Sequence, residues 1–292
     1  MERSTLIDKI VNELKTLEEI KAVVIGGSYA TNTQRPDSDI DLGLYYEEKK
    51  PLKIENIKMV LTKLKVLQDS IVSHIGDWGV WMNGGVWFII NKQRVDLIYR
   101  NLNFVEKTID ECLTGKIKTD YYQQPAFGFY SYIYCAETKY SKILYDPDKL
   151  VFKLKQKVSA YPEPLKEKII NTFLWDAQFS LSRSEKSMKR NEIIIIAGCF
   201  TRIVNDLIQV LYALNETFFM SEKRYLKDFK KFTTKPKNFL LKSEEILSNL
   251  NKDTKSLEIS FKKAEELVNS FIELTKSIYK PKYSRNLDEE KH

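Results

Sequence analysis

The stretch AVVIGGSYATNTQRPDSDIDLGLYY, residues 22–46, decides how the rest of the chain is read. An apolar run, Ala22–Ile25, meets Gly26, Gly27 and Ser28, and two carboxylates, Asp39 and Asp41, then flank Ile40 at the start of a second β-like run that continues to Tyr46. Alternate side chains of a strand share a face, so Asp39 and Asp41 project together while Ile40 and Leu42 point into a core. Carboxylates about 6–7 Å apart along a strand disfavour each other's ionised form unless a cation neutralises them. Hard oxygen ligands at that spacing suit Mg²⁺, which takes one or two carboxylates and completes its shell with substrate phosphates. The glycine pair lets backbone N–H groups approach an anion, and Ser28 adds a hydroxyl at the first turn of a short helix. The blander alternatives are a plain strand-to-helix turn at Gly26–Gly27 and a solvated strand face for the two acids; Asp37 belongs to the turn Pro36-Asp37-Ser38.

The order Gly27-Ser28 followed by Asp39-Ile40-Asp41 resembles the core motif of the DNA polymerase β-like nucleotidyltransferase superfamily. That resemblance implies a third carboxylate on a later strand, and Asp96 in Arg94-Val95-Asp96-Leu97-Ile98-Tyr99 is the candidate. The surrounding DWGVWMNGGVWFIINKQRVDLIYRN is similar to what bacterial members carry around their third carboxylate. The reaction implied is transfer of a nucleoside monophosphate from a nucleoside triphosphate, ATP first among them, to an acceptor hydroxyl with release of pyrophosphate. Asp39, Asp41 and Asp96 would hold two Mg²⁺ ions, and Asp96 could also accept the acceptor's proton. Gly27 and Ser28 would hold the departing pyrophosphate. Lys223 is a candidate phosphate contact, with a solvated surface role as the alternative. Many members follow the Gly-Ser pair with a small, a basic and a glycine residue, where this chain has Ala30-Thr31-Asn32.

Size and layout further resemble bacterial nucleotidyltransferases that modify aminoglycoside or lincosamide antibiotics, implying a small-molecule hydroxyl acceptor. A polycationic aminoglycoside would call for extra carboxylates in the acceptor cleft; Glu137 is the candidate, a surface helix position the alternative. Two other readings stay open. One is transfer to a macromolecule, RNA or a protein hydroxyl, as in antitoxin-type enzymes. The other is a non-catalytic nucleotide-binding or interaction protein.

Composition sets outer bounds. The chain has 292 residues, 43% hydrophobic and 30% charged, as an ordinary globular protein does. Its net charge of +7 lies wholly beyond residue 145. A basic second half can attract polyanions or a triphosphate, yet no RNA-binding motif accompanies it, so a nucleic-acid acceptor is not favoured. Cys112, Cys135 and Cys199 are widely spaced, which fits free thiols in a reducing compartment. Two histidines, with His74 read as structural, leave no room for a histidine-rich metal site. The start, MERSTLIDKIVNEL, lacks a signal-peptide core, and wholly apolar runs such as residues 193–200 are too short to span a bilayer, so a cytoplasmic protein is expected with no membrane association.

The fold expected is α+β. Residues 1–146 form a mixed sheet flanked by helices, residues 147–280 an antiparallel helical bundle, and residues 281–292 a charged tail, with Asp146-Pro147 as the boundary. The spacing predicts helices over 4–19, capped by Ser4, and over 54–67, then extended structure over 70–100 with turns at Asn83-Gly84-Gly85 and Asn91-Lys92-Gln93. Trp78, Trp81 and Trp87 fall there, read as core with one free to stack on a ring. Asn101 or Asn103 caps a helix ending at Gly115. The aromatic stretch 121–134 could cover a second copy of the chain as well as the second domain, which leaves a homodimer open.

Overall fold

The computed structural model describes residues 3–31, 34–123 and 126–281. They cluster into two compact units: the chain up to Leu113 with Ile117–Ala160, and Thr114–Lys116 with the chain from Tyr161 onward. Asn32, which stands where many members have a glycine, and residues 282–292 of the expected charged tail lie outside the described residues.

The first unit contains helices α1 (Arg3–Leu14), α2 (Gly27–Ala30), α3 (Ile54–Lys63), α4 (Leu102–Leu113), α5 (Ile133–Tyr140) and α6 (Leu150–Lys157). Its strands are β1 (Ala22–Ile25), β2 (Ile40–Tyr46), β3 (Ile71–Val72), β4 (Gly85–Ile90), β5 (Gln93–Asn101), β6 (Thr119–Asp120), β7 (Phe129–Tyr130) and β8 (Lys142–Tyr145). Six of them form one mixed sheet in the order β3-β4-β5-β2-β1-β8, in which only β2 and β5 run parallel. The β4–β5 hairpin turns through Asn91 and Lys92, both at positive φ (51° and 65°), the primed turn that matches strand twist.

One face of this sheet is core. Ile40, Leu42 and Leu44 of β2, Val86 and Phe88 of β4, and Val95, Leu97 and Tyr99 of β5 are buried there with Leu6, Ile10 and Leu14 of α1 and Ile57, Val60 and Leu61 of α3. The period-2 and period-3.6 patterns of these segments dictate that arrangement. Helix α1 starts at Arg3, so Ser4 lies inside it rather than capping it, and it stops at Leu14 instead of continuing to Glu19. Helix α3 stops at Lys63, short of the expected Leu67, because Lys65 turns left-handed at φ 62°. Asn101 is the cap of α4, its Oδ1 accepting from the Phe104 amide at 3.1 Å. Asp146 accepts from the amides of Leu150 and Phe152, 2.8 Å each, and so leads into α6. Lys155 of α6 donates to the carbonyls of Thr138, Lys139 and Ser141, tying α6 to the end of α5, and α6 belongs to the first unit.

The second unit is helical: α7 (Glu163–Met188), α8 (Ile193–Leu214), α9 (Tyr225–Phe229), α10 (Phe239–Ser248) and α11 (Thr254–Leu274). Pro164 sits in the first turn of α7, where a proline's missing N–H costs nothing, so it starts the helix. By length and composition alone α8 is the one helix among the described residues able to cross a membrane, a test that a buried core helix also passes. It is packed against α7 with its second half, from Ile203 to Ala213, buried throughout, as a core helix is. Between α8 and α10 lie a 3-10 turn, Glu222–Arg224, and directly after it the short α9. Cys112 and Cys135 are buried free thiols and Cys199 is half-buried.

Candidate functional site

Parallel pairing of β2 with β5 sets Asp41 directly opposite Asp96, with Ile40 opposite Val95 and Leu42 opposite Leu97. Paired residues of neighbouring strands project to the same side, and neighbouring strands lie about 4.8 Å apart. Since the flanking aliphatics are buried, both carboxylates emerge, half-buried, on the face away from α1 and α3. On the other side of β5, Trp87 of β4 pairs with Asp96. One row therefore crosses the sheet through Trp87, Asp96 and Asp41.

The row ends at the glycine turn. The Gly26 amide donates to the Asp41 carbonyl at 2.8 Å, extending the β1–β2 ladder by one bond. Gly27 follows at φ +56°, and a Cβ there would come within 1.9 Å of Asp41 Oδ2. Both the backbone conformation and the space reserved for the Asp41 carboxylate thus require glycine. Ser28 stands in the single turn of α2, half-buried, and that turn closes with Thr31 Oγ1 donating to the carbonyls of Gly27 and Ser28 at 3.4 Å each.

Of the residues singled out from the sequence, the structure unites Gly27, Asp41 and Asp96. Asp39 is half-buried and precedes β2, outside the ladder. Among the described residues no group of three or more His, Cys, Asp or Glu side chains is placed to hold a metal ion. Lys223 is exposed on the 3-10 turn of the second unit. His74 is exposed on the loop before β4 rather than built into a core.

Glu137 is half-buried and already committed to a partner within the protein. It grips the buried Arg100 of β5 through Nε at 3.2 Å and Nη2 at 3.0 and 2.9 Å. Burial opposes the guanidinium's charge, but Glu137 and Tyr134 outweigh it and hold Arg100 above its ordinary pKa. Nothing local in the sequence foretold this pair. Trp87 was not separable from Trp78 and Trp81, although the alternation of Val86, Phe88 and Ile90 against Trp87 and Ile89 carried the signal: Trp81 is 7% exposed and Trp87 46%.

Residues 7–113 match the family described as "Nucleotidyltransferase domain", and residues 134–224 match "Domain of unknown function (DUF4037)". The first match spans the whole of the row and the glycine turn. That match supports the resemblance of this part of the chain to the DNA polymerase β-like nucleotidyltransferase superfamily. No curated protein matches the chain. Among solved structures, a nucleotidyltransferase-like protein from Exiguobacterium sibiricum 255-15 aligns at a TM-score of 0.48 with 8% identity, over 98% of this chain and 83% of that one.

Proposed function

We propose that the protein transfers a nucleoside monophosphate from a nucleoside triphosphate to the hydroxyl of a small-molecule acceptor and releases pyrophosphate. The observation that carries this reading is the in-register pairing of Asp41 with Asp96 beside a turn where only glycine leaves the Asp41 carboxylate its space. Two adjacent hard carboxylates are the donor set that Mg²⁺ takes from a protein when substrate phosphates supply the rest, so the residues fit the ion the family implies. Asp41 and Asp96 would hold it, with Asp39 as a further ligand from the segment preceding β2. Bound there, Mg²⁺ supplies neutralising charge for the phosphates and acidity for a coordinated hydroxyl.

The chain's own groups divide the remaining work. The acceptor oxygen forms a bond to the α-phosphorus as the bond from that phosphorus to the β-phosphate's bridging oxygen breaks. Asp96, the acid next to the open side of the row, takes the hydroxyl proton. The pyrophosphate departs against backbone N–H groups and the hydroxyl at Gly27–Ser28. ATP as donor, an antibiotic-type acceptor and a cytoplasmic setting complete the reading. The exposed Lys223 and basic second half also suit an anionic macromolecular acceptor, which the same experiment distinguishes.

Incubation of the full chain with Mg²⁺ and α-labelled triphosphates, alongside aminoglycosides, lincosamides, RNA and candidate proteins, locates the label. Transfer to a small molecule is expected. Label on RNA with steep loss at rising salt would replace this acceptor class, and triphosphate binding with no transfer to any acceptor would remove the catalytic reading.

A further inference from the structure

The sheet face beyond Asp96 has a composition unlike an ordinary solvated surface. In the pairing of β3 with β4, Ile71 stands opposite Trp87, and Trp87 stands opposite Asp96, so the row reads Ile71, Trp87, Asp96, Asp41. Ile89, two residues along β4 and on the same side, stands opposite Arg94. Ile71, Trp87 and Ile89 are exposed by 62%, 46% and 54%. Three large apolar side chains on the solvent phase of adjoining strands cost solubility, and here they lead directly to a candidate catalytic acid.

The tryptophan is also held in place. Trp78 stacks on Trp87 with ring centroids 4.6 Å apart and planes inclined by 25°. Space for the Trp78 ring comes from Gly85, where a Cβ would lie 2.7 Å from the ring. The carbonyl of Trp78 accepts a bond from the Gln123 side chain, which also accepts from the Trp81 amide at 3.3 Å, so the loop carrying Trp78 is tied down on both sides. One ring of the pair is therefore a fixed platform. The charge at its Ile89 margin is positive: Arg94 is exposed beside Ile89, and Lys92 occupies the adjoining turn. Of the acids nearest in sequence, Asp96 is the candidate catalytic group, Asp69 is exposed two residues before Ile71, and Asp77 is engaged by the His74 amide at 2.6 Å.

We infer that Ile71, Trp87 and Ile89 form the acceptor subsite, and that it takes a ring-shaped hydroxyl compound with an apolar face and little positive charge, not a polycation. This rests on the proposed nucleotidyl transfer and narrows its acceptor. A ring laid on Trp87 gains the stacking and apolar contact that an aromatic face provides, and brings an edge hydroxyl to Asp96 in the next strand. A polycationic acceptor would set its ammonium groups against Arg94 and Lys92.

The test uses the full chain with two probes, lincomycin, which carries one amine and apolar arms, and kanamycin, a polycation. Steady-state transfer is measured for the wild type, Trp87→Phe, Trp87→Ala and Arg94→Glu, each checked for folding by circular dichroism and thermal melting. Lincomycin is expected to be the better acceptor. Trp87→Ala should raise its KM about tenfold with the triphosphate KM within about twofold, Trp87→Phe falling between. Arg94→Glu should narrow the preference over kanamycin. A rise confined to the triphosphate KM assigns Trp87 to the base and overturns the inference, as does a preference for kanamycin. Should the wild type transfer to neither probe, the proposed reaction fails, and fluorescence then decides the subsite alone: lincomycin without nucleotide should quench tryptophan emission in the wild type and not in Trp87→Phe. An absent or unchanged quench overturns it.

Discussion

Two ends of one sheet face behave in opposite ways. At one end Asp41 and Asp96 face each other across β2 and β5 and remain half-exposed beside Trp87; four residues along the same two strands, Tyr45 and Arg100 face each other and are 3% and 4% exposed. All four side chains have the same phase of the strand alternation. What separates them is α5, which brings Glu137 onto Arg100 and sets the Tyr134 ring 5.5 Å from the guanidinium. Burial there pushes the Tyr45 hydroxyl up to about 12. Strand pairing delivers ionisable groups to a face, and the cover over that face decides whether they become an ion pair inside the protein or a site within reach of a substrate.

The largest effect tests the open end. Asp41→Asn and Asp96→Asn should each reduce nucleotidyl transfer by about 10³-fold, the worth of several kcal/mol of lost charge stabilisation. Thermal melts should hardly move, since both groups keep partial exposure; a matching loss of stability would place them with the covered end instead. Glu137→Ala inverts that pattern. It strands Arg100 without its partner, so denaturant unfolding should show a loss of about 3 kcal/mol, near the lower bound for a broken buried pair because Glu137 is 27% exposed. Gly27→Ala lies between. The left-handed backbone costs about 1–2 kcal/mol. Displacing the Asp41 carboxylate, which a Cβ would overlap, should lower transfer about 100-fold, the effect of misplacing a reacting group by an ångström.

The smallest effect concerns a carboxylate with neither cover by a partner nor access to water. Asp206 of α8 is fully buried, and neither of its oxygens has a hydrogen-bond partner. Burial, reinforced by Asp176 and only partly offset by Arg202, pushes its carboxyl well above the usual range. Asp176 and Arg202 are themselves paired at 2.7 Å. The folded chain thus holds a proton that the unfolded chain releases. Stability from this group is fullest below the ordinary carboxylate pKa and declines as pH rises towards the raised value. Asp206→Asn should remove that decline and raise the stability at pH 7 relative to the wild type. Denaturant melts at pH 4 and pH 7 check this, and a wild type whose stability is flat between them would contradict it.

Much of the first unit was legible locally. The strands Ala22–Ile25 and Ile40–Tyr46, the short helix after Gly26, the buried stripe Ile54, Ile57, Val60, Leu61 and the phase of Asp96 all follow from periods of 2 and 3.6 that a window of ten residues reveals. Element ends were less legible. Lys65 closes α3 from a left-handed conformation that lysine seldom adopts, and Pro164 opens α7 where a proline commonly signals a break. The Gly27–Asp41 approach was only half visible: glycine at that place was expected for its backbone freedom, whereas its tight fit against a side chain fourteen positions on needed coordinates.

By itself the sequence determined which side chains share a phase on each strand and where the chain bends between them, because both depend on sterics within a few residues. Only the tertiary structure decided that β5 lies beside β2 with Asp96 level with Asp41, that Trp87 continues the same row, and that α5 closes the far end over Arg100. Those are pairings between residues 37 to 55 positions apart or across a hairpin register, and they are settled by which packing buries the most apolar surface while leaving each charge a partner or water.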